Sequence, residues 1–373
     1  MLENKTILLI SPEAWGANFV SKHHYANYLA KKNIVFFLNP AQESTIHPFG
    51  DTNAQITKIK HNLFQINYQN LIPKLNSLPK TIQKWYYKKQ AEQIKIKIGI
   101  DKFDIIWSFD PYRFWNQQVW KAEKTIYHTV DFHSKAKYEY EICQNSSHIF
   151  GVTPLIINPL KKYTNQIKRI GHGADIDNFS INSSLSLPGT NKIKACYTGN
   201  FHKHIDYSLL IELATKNDDI DFIMIGPLLN NNLSNSDQVE KYNLEKLMNI
   251  KNIYLIGSVP SHDLMTYLSL CDINLVLFKK EHEVIHCSPH KLMAYFYSGN
   301  VTISNYIDEH KLTDSKIIIM LDVLKDIIEK IKEVKMYLNK YNSEDLKKKR
   351  KQFAIKNSYD SKIEEIAKLI YSK

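Results

Sequence analysis

The sequence predicts an α/β protein built from two doubly wound parallel sheets that face a central cleft. Short strand-like apolar runs alternate with helix-length amphipathic segments along the whole chain, which is the pattern of parallel strands joined by crossover helices. The runs are too many for one comfortable sheet, so two Rossmann-like domains are expected. A stretch at 179–192 rich in Ser and Asn, with Pro188 and Gly189, predicts the break between them.

The predicted strands are apolar runs bounded by turn residues: 6–10, 34–38, 104–108, 125–129, 148–152, 193–198, 221–225, 253–256, 273–278 and 301–304. The predicted helices include 18–31, 80–98, 204–216, 261–269 and a terminal segment at 358–372. We therefore expect an N-terminal Rossmann-like domain at 1–179 and a C-terminal Rossmann-like domain at 180–345. Terminal helices at 346–373 are expected to pack back on the first domain.

The composition is that of an ordinary globular protein. The chain has 373 residues, of which 43% are hydrophobic and 23% charged, enough for two full cores. No apolar run approaches the ~20 residues of a membrane span, and no signal-peptide pattern opens the sequence. The four cysteines are scattered without metal-ligand or redox spacing, so a reduced, cytosolic protein is expected.

The positive charge is concentrated in the first half of the chain. Residues 1–178 contain 23 Lys and Arg against 14 Asp and Glu, whereas residues 179–373 contain 26 against 24. This asymmetry predicts an anionic partner for the first half, either a membrane surface or an acidic saccharide. Nucleic acid is not predicted, because no helix-turn-helix, zinc-finger or RNA-binding signature is present. The lysine-rich segment 74–98, with Trp85, suits a membrane surface, and an ordinary solvated helix face is the alternative.

A helix start near Ser288 is the strongest functional signal. A predicted strand and a polar loop lead to Ser288, Pro289, His290 and Lys291. Ser at the N-cap, Pro at the first helical position and Gly299 just past the end are residues that start and stop a helix. The dipole of such a helix faces the strand ends, and His290 and Lys291 add donors in its first turn. The pattern predicts a diphosphate cradle that needs no metal ion.

Two further loops are expected at the same sheet edge. Gly199 follows the first strand of the second domain, and Lys203 lies a few residues on. Glycine lets the backbone approach a ligand and lysine can reach a phosphate, although a lone glycine after a strand is also typical of a plain turn. Ser258 and Val259 follow another strand, where backbone groups could read a nucleobase; a simple loop with Ser261 as helix cap is the alternative.

Asp131 ends a predicted strand of the first domain. A carboxylate there, facing the cleft, is well placed to take a proton from an acceptor hydroxyl, and a structural hydrogen bond is the alternative. His128 and His133 are candidate acceptor-side neighbours. The loop after the first strand is expected to border the cleft, with Trp15 near the acceptor and Gly16 near the donor diphosphate.

The stretch 282–286 matches the zinc-protease pattern His-Glu-x-x-His. That chemistry needs both histidines one turn apart on a helix, and too few residues separate the preceding strand from Ser288 to fit one. A polar active-site loop is therefore favoured, and no metal site is predicted. A zinc hydrolase is retained only as an alternative to be tested by elemental analysis.

Three stretches resemble bacterial polysaccharide glycosyltransferases of the GT-B fold, particularly the teichuronic-acid-biosynthesis type. They are 10–24, 197–206 and 288–299. The order of landmarks is also similar to that of the xanthan glucuronosyltransferase, with an aspartate at a strand end, the Gly-His-Gly-Ala-Asp stretch at 171–175 and a lysine in a late helix. The resemblance spans nearly the whole chain.

This resemblance implies a nucleotide-sugar donor held mainly by the second domain, an acceptor entering from the first, and no metal or other cofactor. By position, Asp131 would be the base, Ser288 and Lys291 the diphosphate contacts, and 258–259 the base-reading loop. One departure concerns Ala294, because many relatives carry a ribose-binding Glu there, partnered by the residue at the position of His286. The xanthan-type enzymes also lack that Glu, which favours their inverting mechanism.

The leading hypothesis is therefore a cytosolic, membrane-peripheral glycosyltransferase of surface polysaccharide or capsule biosynthesis. It would move a sugar from a nucleoside-diphosphate donor, expected to be a UDP-sugar, to a glycan or lipid-linked acceptor, with inversion and with Asp131 as base. The alternatives are a retaining enzyme of the same fold and a non-catalytic nucleotide-sugar-binding subunit, the latter motivated by Ala294.

Overall fold

The computed structural model describes residues 2–16, 19–42, 51–131, 133, 136–177, 184–201, 204–227, 238–281 and 288–372. The chain forms two compact units. Unit 1 comprises Met1–His172 together with Tyr359–Lys373, and unit 2 comprises Gly173–Ser358. The sequence prediction instead divided the chain after 179 and grouped 346–373 as one terminal segment.

Unit 1 is built on an eight-stranded sheet. Its strands are β1 (Thr6–Ile10), β2 (Ile34–Leu38), β3 (Gln55–Lys60), β4 (Leu63–Asn67), β5 (Ile105–Ser108), β6 (Lys124–Thr129), β7 (His148–Gly151) and β8 (Ile167–Arg169). Their spatial order is β3-β4-β2-β1-β5-β6-β7-β8. Every neighbouring pair is parallel except the edge hairpin β3–β4.

Helices cover both faces of this sheet. They are α1 (Ser21–Leu29), α2 (Lys80–Ile98), α3 (Glu139–Asn145) and α4 (Pro154–Leu160). The two faces are visible within β1, where Leu8 and Ile10 join one buried cluster while Ile7 and Leu9 join another. Side chains alternate across a strand, so a strand buried on both faces must be apolar throughout. This is why β1 reads as a continuous apolar run.

Unit 2 contains a six-stranded sheet in which all neighbours are parallel. Its strands are β9 (Ile193–Thr198), β10 (Ile220–Ile225), β11 (Ile253–Gly257), β12 (Ile273–Val276), β13 (Val301–Asn305) and β14 (Ile319–Leu321). Their spatial order is β11-β10-β9-β12-β13-β14. The chain therefore builds outward from β9 to β11 and then crosses back to start again at β12.

The helices of unit 2 are α5 (Tyr207–Lys216), α6 (Gln238–Met248), α7 (Leu264–Ser269), α8 (Lys291–Ser298), α9 (Leu324–Met336), α10 (Leu338–Tyr341) and α11 (Glu344–Lys356). The last helix of the chain, α12 (Tyr359–Tyr371), belongs to unit 1. Arg350 of α11 is buried and donates to the carbonyl oxygen of Gly299 at 2.9 Å. This bond satisfies a backbone acceptor at the C-terminal end of α8.

All ten predicted strands are present within two residues of their predicted bounds. The structure adds β3, β4, β8 and β14, which the sequence did not indicate. In β3 most side chains are exposed, so the strand lacks the buried apolar run on which the prediction relied, and β8 and β14 have only three residues each. None of the helices in the described part of the chain is long and apolar enough to cross a membrane.

Candidate active site

The strand order of unit 2 creates a crevice between the carboxyl ends of β9 and β12. These strands are neighbours, but the connections that leave them run to opposite sides of the sheet. Open parallel sheets bind ligands at such a switch point. Gly199 immediately follows β9, and Lys291 is the first residue of α8, the described helix after β12. The fold therefore brings together two residues that the sequence had assigned to one ligand.

Three glycines with positive φ lie at the carboxyl ends of neighbouring strands of this sheet, and we call them the glycine edge. Gly199, Gly226 and Gly257 have φ values of +124°, +150° and +82°. The Gly199 N–H donates to the Ile225 carbonyl at 2.8 Å, and the Gly226 N–H donates to the Gly257 carbonyl at 2.8 Å. A Cβ atom on Gly226 would lie 2.0 Å from the Gly199 carbonyl oxygen. Two backbones thus approach too closely to admit a side chain there.

The ammonium group of Lys291 lies at this edge. Its Nζ atom is 3.8 Å from the ring centroid of Tyr197 and 5.2 Å from that of Phe278. A Cβ atom added to Gly199 would lie 2.7 Å from the same Nζ. Aromatic faces attract a cation through their quadrupole, and the absence of a side chain at Gly199 leaves room for it. The charge is therefore held beside the carboxyl end of β9.

Tyr295 fixes the helix that carries Lys291. It lies four residues on, is fully buried, and accepts a hydrogen bond from the Thr198 N–H at 2.7 Å. Its hydroxyl also donates to the Leu275 carbonyl at 3.2 Å. One side chain of α8 thus contacts the backbones of both β9 and β12. Sequence reasoning missed this residue because a tyrosine inside an apolar helix pattern reads as ordinary core.

The start of α8 differs from the prediction. The sequence placed Ser288 at the N-cap and Pro289 at the first helical position, whereas the observed cap residue is His290 and the helix begins at Lys291. The reason is a tighter first turn, in which the Leu292 N–H donates to the Pro289 carbonyl at 3.0 Å and the Met293 N–H to the His290 carbonyl at 3.2 Å. Such three-residue bonds are common at helix ends. Ser288 and His290 are half-buried in the turn before the helix.

The other donor-side candidates lie farther from Lys291 or outside the described residues. Ser258 is exposed and Val259 is half-buried in the loop after β11. This loop is two strands from β9, or about 10 Å along the sheet. Lys203 and the histidines of the zinc-protease pattern at 282–286 fall outside the described residues. Among those that are described, no three His, Cys, Asp or Glu side chains are arranged to hold a metal ion.

Residues 204–206, which precede α5, are hydrogen-bonded to the chain that follows β12. Ile205 and Phe278 form an antiparallel bridge. The Asp206 N–H donates to the Leu277 carbonyl at 2.9 Å, and the Lys279 N–H to the His204 carbonyl at 2.8 Å. These bonds hold residues 204–206 beside the chain that leaves β12, a contact that the sequence did not indicate.

In unit 1, Asp131 follows β6 and belongs to a three-residue ion cluster, which we call the Lys22 cluster. Lys22 Nζ lies 3.2 Å from Asp131 Oδ2 and 2.8 Å from Glu13 Oε2. The Lys22 side chain is only 3% exposed, whereas those of Glu13 and Asp131 are 47% and 59% exposed. The lysine is therefore buried beneath two carboxylates that reach solvent. Lys22, at the start of α1, was not among the predicted site residues.

Lys22 decides the protonation of Asp131. Partial burial raises the pKa of this carboxyl, but the charge of Lys22 and its hydrogen bond outweigh burial and lower the pKa below its ordinary value. An opposite charge at this distance favours the ionised form. Asp131 is thus a carboxylate at neutral pH, able to accept a hydrogen bond but weaker as a base than an unpaired aspartate.

The structure corrects the place of His128. The sequence put it beside Asp131 on the acceptor side, but its ring is fully buried and stacks on Phe109 at 5.0 Å between ring centroids. Burial lowers its pKa to about 3, so the ring is neutral. The cause is strand alternation, since His128 points into the apolar core. His133 is half-buried, and its Nδ1 lies 3.4 Å from the Tyr112 hydroxyl.

The loop after β1 is anchored at several points. The backbone N–H of Trp15 donates to Asn39 Oδ1 at 2.8 Å. The half-buried indole ring of Trp15 packs edge-on against Phe37, with ring centroids 5.0 Å apart. His23 Nε2 lies 3.0 Å from the Ala14 carbonyl. Burial lowers the pKa of His23 to about 4, so the neutral ring donates here from Nε2. Gly16, predicted to approach the donor, is exposed.

A buried arginine joins the strand ends of unit 1 and was also missed from the sequence. Arg113 donates to Asp110 Oδ2 at 2.6 Å, to the Ser11 carbonyl at 2.6 Å and to the Asn39 carbonyl at 2.9 Å. These acceptors follow β5, β1 and β2. Breaking a buried charge pair by removing one partner costs about 3–5 kcal/mol. Arg113 thus holds together the ends of three strands, and the loop that contains Glu13 begins at one of them.

Comparisons with known proteins give similarity of structure but not of sequence. No protein-family model matches the chain, and no curated protein sequence matches it. Sucrose-phosphate synthase from Thermosynechococcus elongatus superposes with a TM-score of 0.68 at 12% identity, covering 98% of each chain. HepE of Anabaena, solved with UDP and glucose, has a TM-score of 0.67 at 13% identity over 99% of this chain and 100% of its own.

A third structure is a trehalose-6-phosphate synthase, described in a study of glycosyl transfer with retention. Its TM-score is 0.68 at 11% identity, covering 99% of both chains. At these identities the similarity is one of fold. The chain has the GT-B fold, with two α/β units whose sheets are mostly parallel, as the sequence predicted.

Proposed function

We propose that this protein is a glycosyltransferase that moves a sugar from a nucleoside-diphosphate donor, a UDP-sugar, to a glycan or lipid-linked saccharide in surface polysaccharide biosynthesis. The observation that supports it best is the position of the Lys291 ammonium beside Gly199, at the switch point of unit 2. The presence of UDP and glucose in the HepE structure agrees with this choice of donor. The teichuronic-acid and xanthan types are the favoured subclasses because of the sequence resemblance.

The donor half of the mechanism follows from the glycine edge. Backbone without side chains lets a diphosphate approach the strand ends closely. As the bond between the sugar and the diphosphate breaks, negative charge grows on the leaving phosphate, and Lys291 neutralises it. Such preorganised charge can contribute about 3–4 kcal/mol to lowering the barrier. Ser288, His290 and Lys203 are the proposed additional contacts of the donor phosphates, and Gly16 is proposed as a further contact of the diphosphate. The 258–259 loop is proposed to contact the nucleobase.

In the acceptor half of the mechanism, Asp131 is the proposed base. Its carboxylate takes the proton of the acceptor hydroxyl while the hydroxyl oxygen attacks the anomeric carbon and the nucleoside diphosphate departs, which inverts that carbon. Trp15 and His133 are proposed acceptor contacts. Retention is the second candidate, and one observation favours it: the Lys22 charge lowers the pKa of Asp131 and so weakens it as a base. The trehalose-6-phosphate synthase neighbour is described as transferring with retention.

The test combines binding and transfer. UDP should raise the melting temperature of the wild type, and Lys291→Met should weaken UDP binding by roughly 10- to 100-fold, the value of a charge-assisted hydrogen bond. Lys332→Met is the matched control, because Lys332 is an exposed lysine of the same unit paired with Glu329. Equal UDP affinity in the Lys291 variant and the wild type would contradict the donor assignment.

Asp131→Asn serves as the second arm of that experiment. It should abolish transfer to the acceptor and leave UDP affinity unchanged, and the anomeric configuration of the wild-type product, read by NMR, separates inversion from retention. Normal transfer by the Asn variant would refute Asp131 as base. Tight UDP binding by a wild type that transfers and hydrolyses no activated sugar would favour the non-catalytic subunit instead.

A further inference from the structure

Helix α2 of unit 1 buries an apolar face in the core but also exposes large apolar side chains on its outer face. Its inner face joins the core of unit 1 through three apolar side chains and two glutamines, all buried: Tyr87, Ala91, Ile94, Gln83 and Gln90. Its outer face exposes Ile82, Trp85 and Ile96, which are 42%, 49% and 77% exposed. A helix normally turns its apolar side chains to the core and its polar ones to water. Exposure of three large apolar groups gains nothing for folding, so this outer face needs another explanation.

The buried glutamines do have a structural role. Gln83 donates to the Leu78 carbonyl at 2.6 Å and to the Tyr138 hydroxyl at 2.5 Å, and it accepts from the Trp115 indole N–H at 3.1 Å. Gln90 accepts from the Leu71 N–H at 3.3 Å. Their bonds hold α2 in one orientation on unit 1. The orientation that exposes Trp85 is thus fixed by the core.

The exposed apolar groups form one stripe. At 100° per residue, Ile82, Trp85, Lys89 and Ile96 fall within about 60° of the helix circumference. The Lys89 ammonium lies 5.0 Å from the Trp85 ring centroid, which keeps a charge beside the ring. The stripe is therefore mainly apolar, with one ammonium group held beside its aromatic ring.

The lysines near Trp85 differ from those at the ends of the helix. Lys80 pairs with Glu141, and Lys97 pairs with Asp51 at 2.8 Å. Lys84, Lys88 and Lys89 are exposed, and no carboxylate within the described ranges forms an ion pair with any of them. Glu92 is the one acidic residue of α2. Lys89 lies within the stripe, and Lys88 and Lys84 lie about 60° and 100° from Trp85 around the helix. The unpaired positive charge therefore flanks the stripe on one side.

We propose that this face of α2 binds an anionic membrane surface. Trp85 and Ile82 would enter the boundary between headgroups and acyl chains, while Lys84, Lys88 and Lys89 contact lipid phosphates. The long lysine side chains can lie along the apolar surface with their ammonium groups in the headgroup layer. An acidic saccharide would match the lysines and stack on Trp85 but would leave Ile82 and Ile96 without a partner. The lipid surface is the ligand that accounts for both.

The experiment measures binding of the full chain to extruded vesicles by co-sedimentation. Vesicles are either phosphatidylcholine alone or equimolar phosphatidylcholine and phosphatidylglycerol. The wild type should bind the second kind and not the first, with affinity falling as salt rises. Each lysine near an anionic surface contributes about fivefold in affinity, so Lys84→Glu with Lys88→Glu and Lys89→Glu should weaken binding by about a hundredfold or more. Trp85→Ser should weaken it without any change of charge.

A matched control uses another lysine-rich helix. Lys348, Lys349 and Lys351 of α11 are also exposed, and their reversal to Glu changes the net charge by the same amount. The control should keep most of the vesicle binding, and melting curves should confirm that each variant is folded. An equal loss in the control would reduce the effect to net charge and overturn the proposal.

Other outcomes also separate the alternatives. Normal binding by Trp85→Ser would indicate a purely electrostatic polyanion site, and a wild type that ignores both kinds of vesicle would point to a protein partner or a second copy of the chain. Either result would overturn the lipid assignment. The inference does not depend on the proposed transfer reaction: the α2 variants should keep wild-type UDP affinity, while Lys291→Met should keep vesicle binding.

Discussion

At the scale of single residues, the unusual feature is that a buried lysine controls the candidate base. Lys22 precedes Asp131 by 109 positions, and its side chain is almost fully covered while both partner carboxylates reach solvent. Glu13 competes with Asp131 for the same ammonium group. The basicity of Asp131 is thus set by a residue that no ligand needs to contact.

Lys22→Met tests this arrangement. Without the ammonium group the pKa of Asp131 should rise toward and above its ordinary value, because partial burial then acts unopposed. The acidic limb of the pH–rate profile for transfer should therefore move to higher pH. The free energy of unfolding should also change. In the wild type, ionised Asp131 stabilises the fold at neutral pH, and this contribution is lost as the pH falls through the lowered pKa. The variant should lack this contribution at every pH.

The control for Lys22 is Lys32→Met. Lys32 pairs with Glu3 at 2.6 Å on the exposed surface of the same unit, so its removal changes the net charge equally and should leave the pH–rate profile in place. A wild-type acidic limb in the Lys22 variant would mean that another group governs the profile.

At the scale of elements, the site of unit 2 depends on close contact between the backbones at the ends of three strands. Glycine makes this contact possible because it has no side chain. Gly226→Ala should therefore destabilise the protein by more than ~3 kcal/mol, since its φ of +150° is unsuited to alanine and its Cβ would meet the Gly199 carbonyl. We also expect UDP affinity to fall, because relief of that contact must displace Gly199 and with it the space beside Lys291. Urea unfolding and calorimetric titration measure the two effects.

Gly257→Ala separates close packing from backbone strain. Gly257 also has a positive φ, +82°, but a Cβ there meets nothing within 4 Å. Alanine should cost only about 1–2 kcal/mol from its backbone conformation and should leave UDP affinity nearly unchanged. Similar losses of affinity in both variants would show that strain alone, and not the contact between the two loops, shapes the glycine edge.

The elements themselves were largely predictable because their signals are local. A parallel strand buried on both faces is a short apolar run between turn residues, and Gly299 stops α8 as its position suggested. The edge hairpin β3–β4 has no such signal, because β3 is mostly exposed and is defined by its pairing with β4. The start of α8 was misplaced because cap propensity at Ser288 competes with a tighter turn, which sequence alone does not reveal.

The candidate site was predictable only in part, for a related reason. Gly199, Asp131 and Lys291 follow or face strand ends, and the carboxyl edge of a parallel sheet is a general place for ligands. Lys22, Arg113 and Tyr295 act through contacts between distant segments, so no local pattern identifies them. His128 shows the opposite error, in which a chemically plausible residue near a site points into the core.

At the scale of the whole molecule, the chain is two units with separate buried clusters. The cluster of unit 2 contains only residues from 174 to 354, and the clusters of unit 1 contain only residues from the two segments of that unit. All five tryptophans lie at positions 15 to 120, within unit 1. Tryptophan fluorescence therefore reports the unfolding of unit 1 alone, whereas calorimetry reports both units.

This distribution allows a test of where the donor binds. If UDP is held mainly by unit 2, a concentration about 100 times its dissociation constant adds ~2.7 kcal/mol to the stability of that unit. For a unit of this size the shift in melting temperature is about 5–10 °C. We expect calorimetry to resolve two transitions and UDP to raise only the one that fluorescence does not follow. A fluorescence transition that rises equally with UDP would mean that unit 1 shares the binding energy, because a ligand stabilises only the structure whose unfolding releases it.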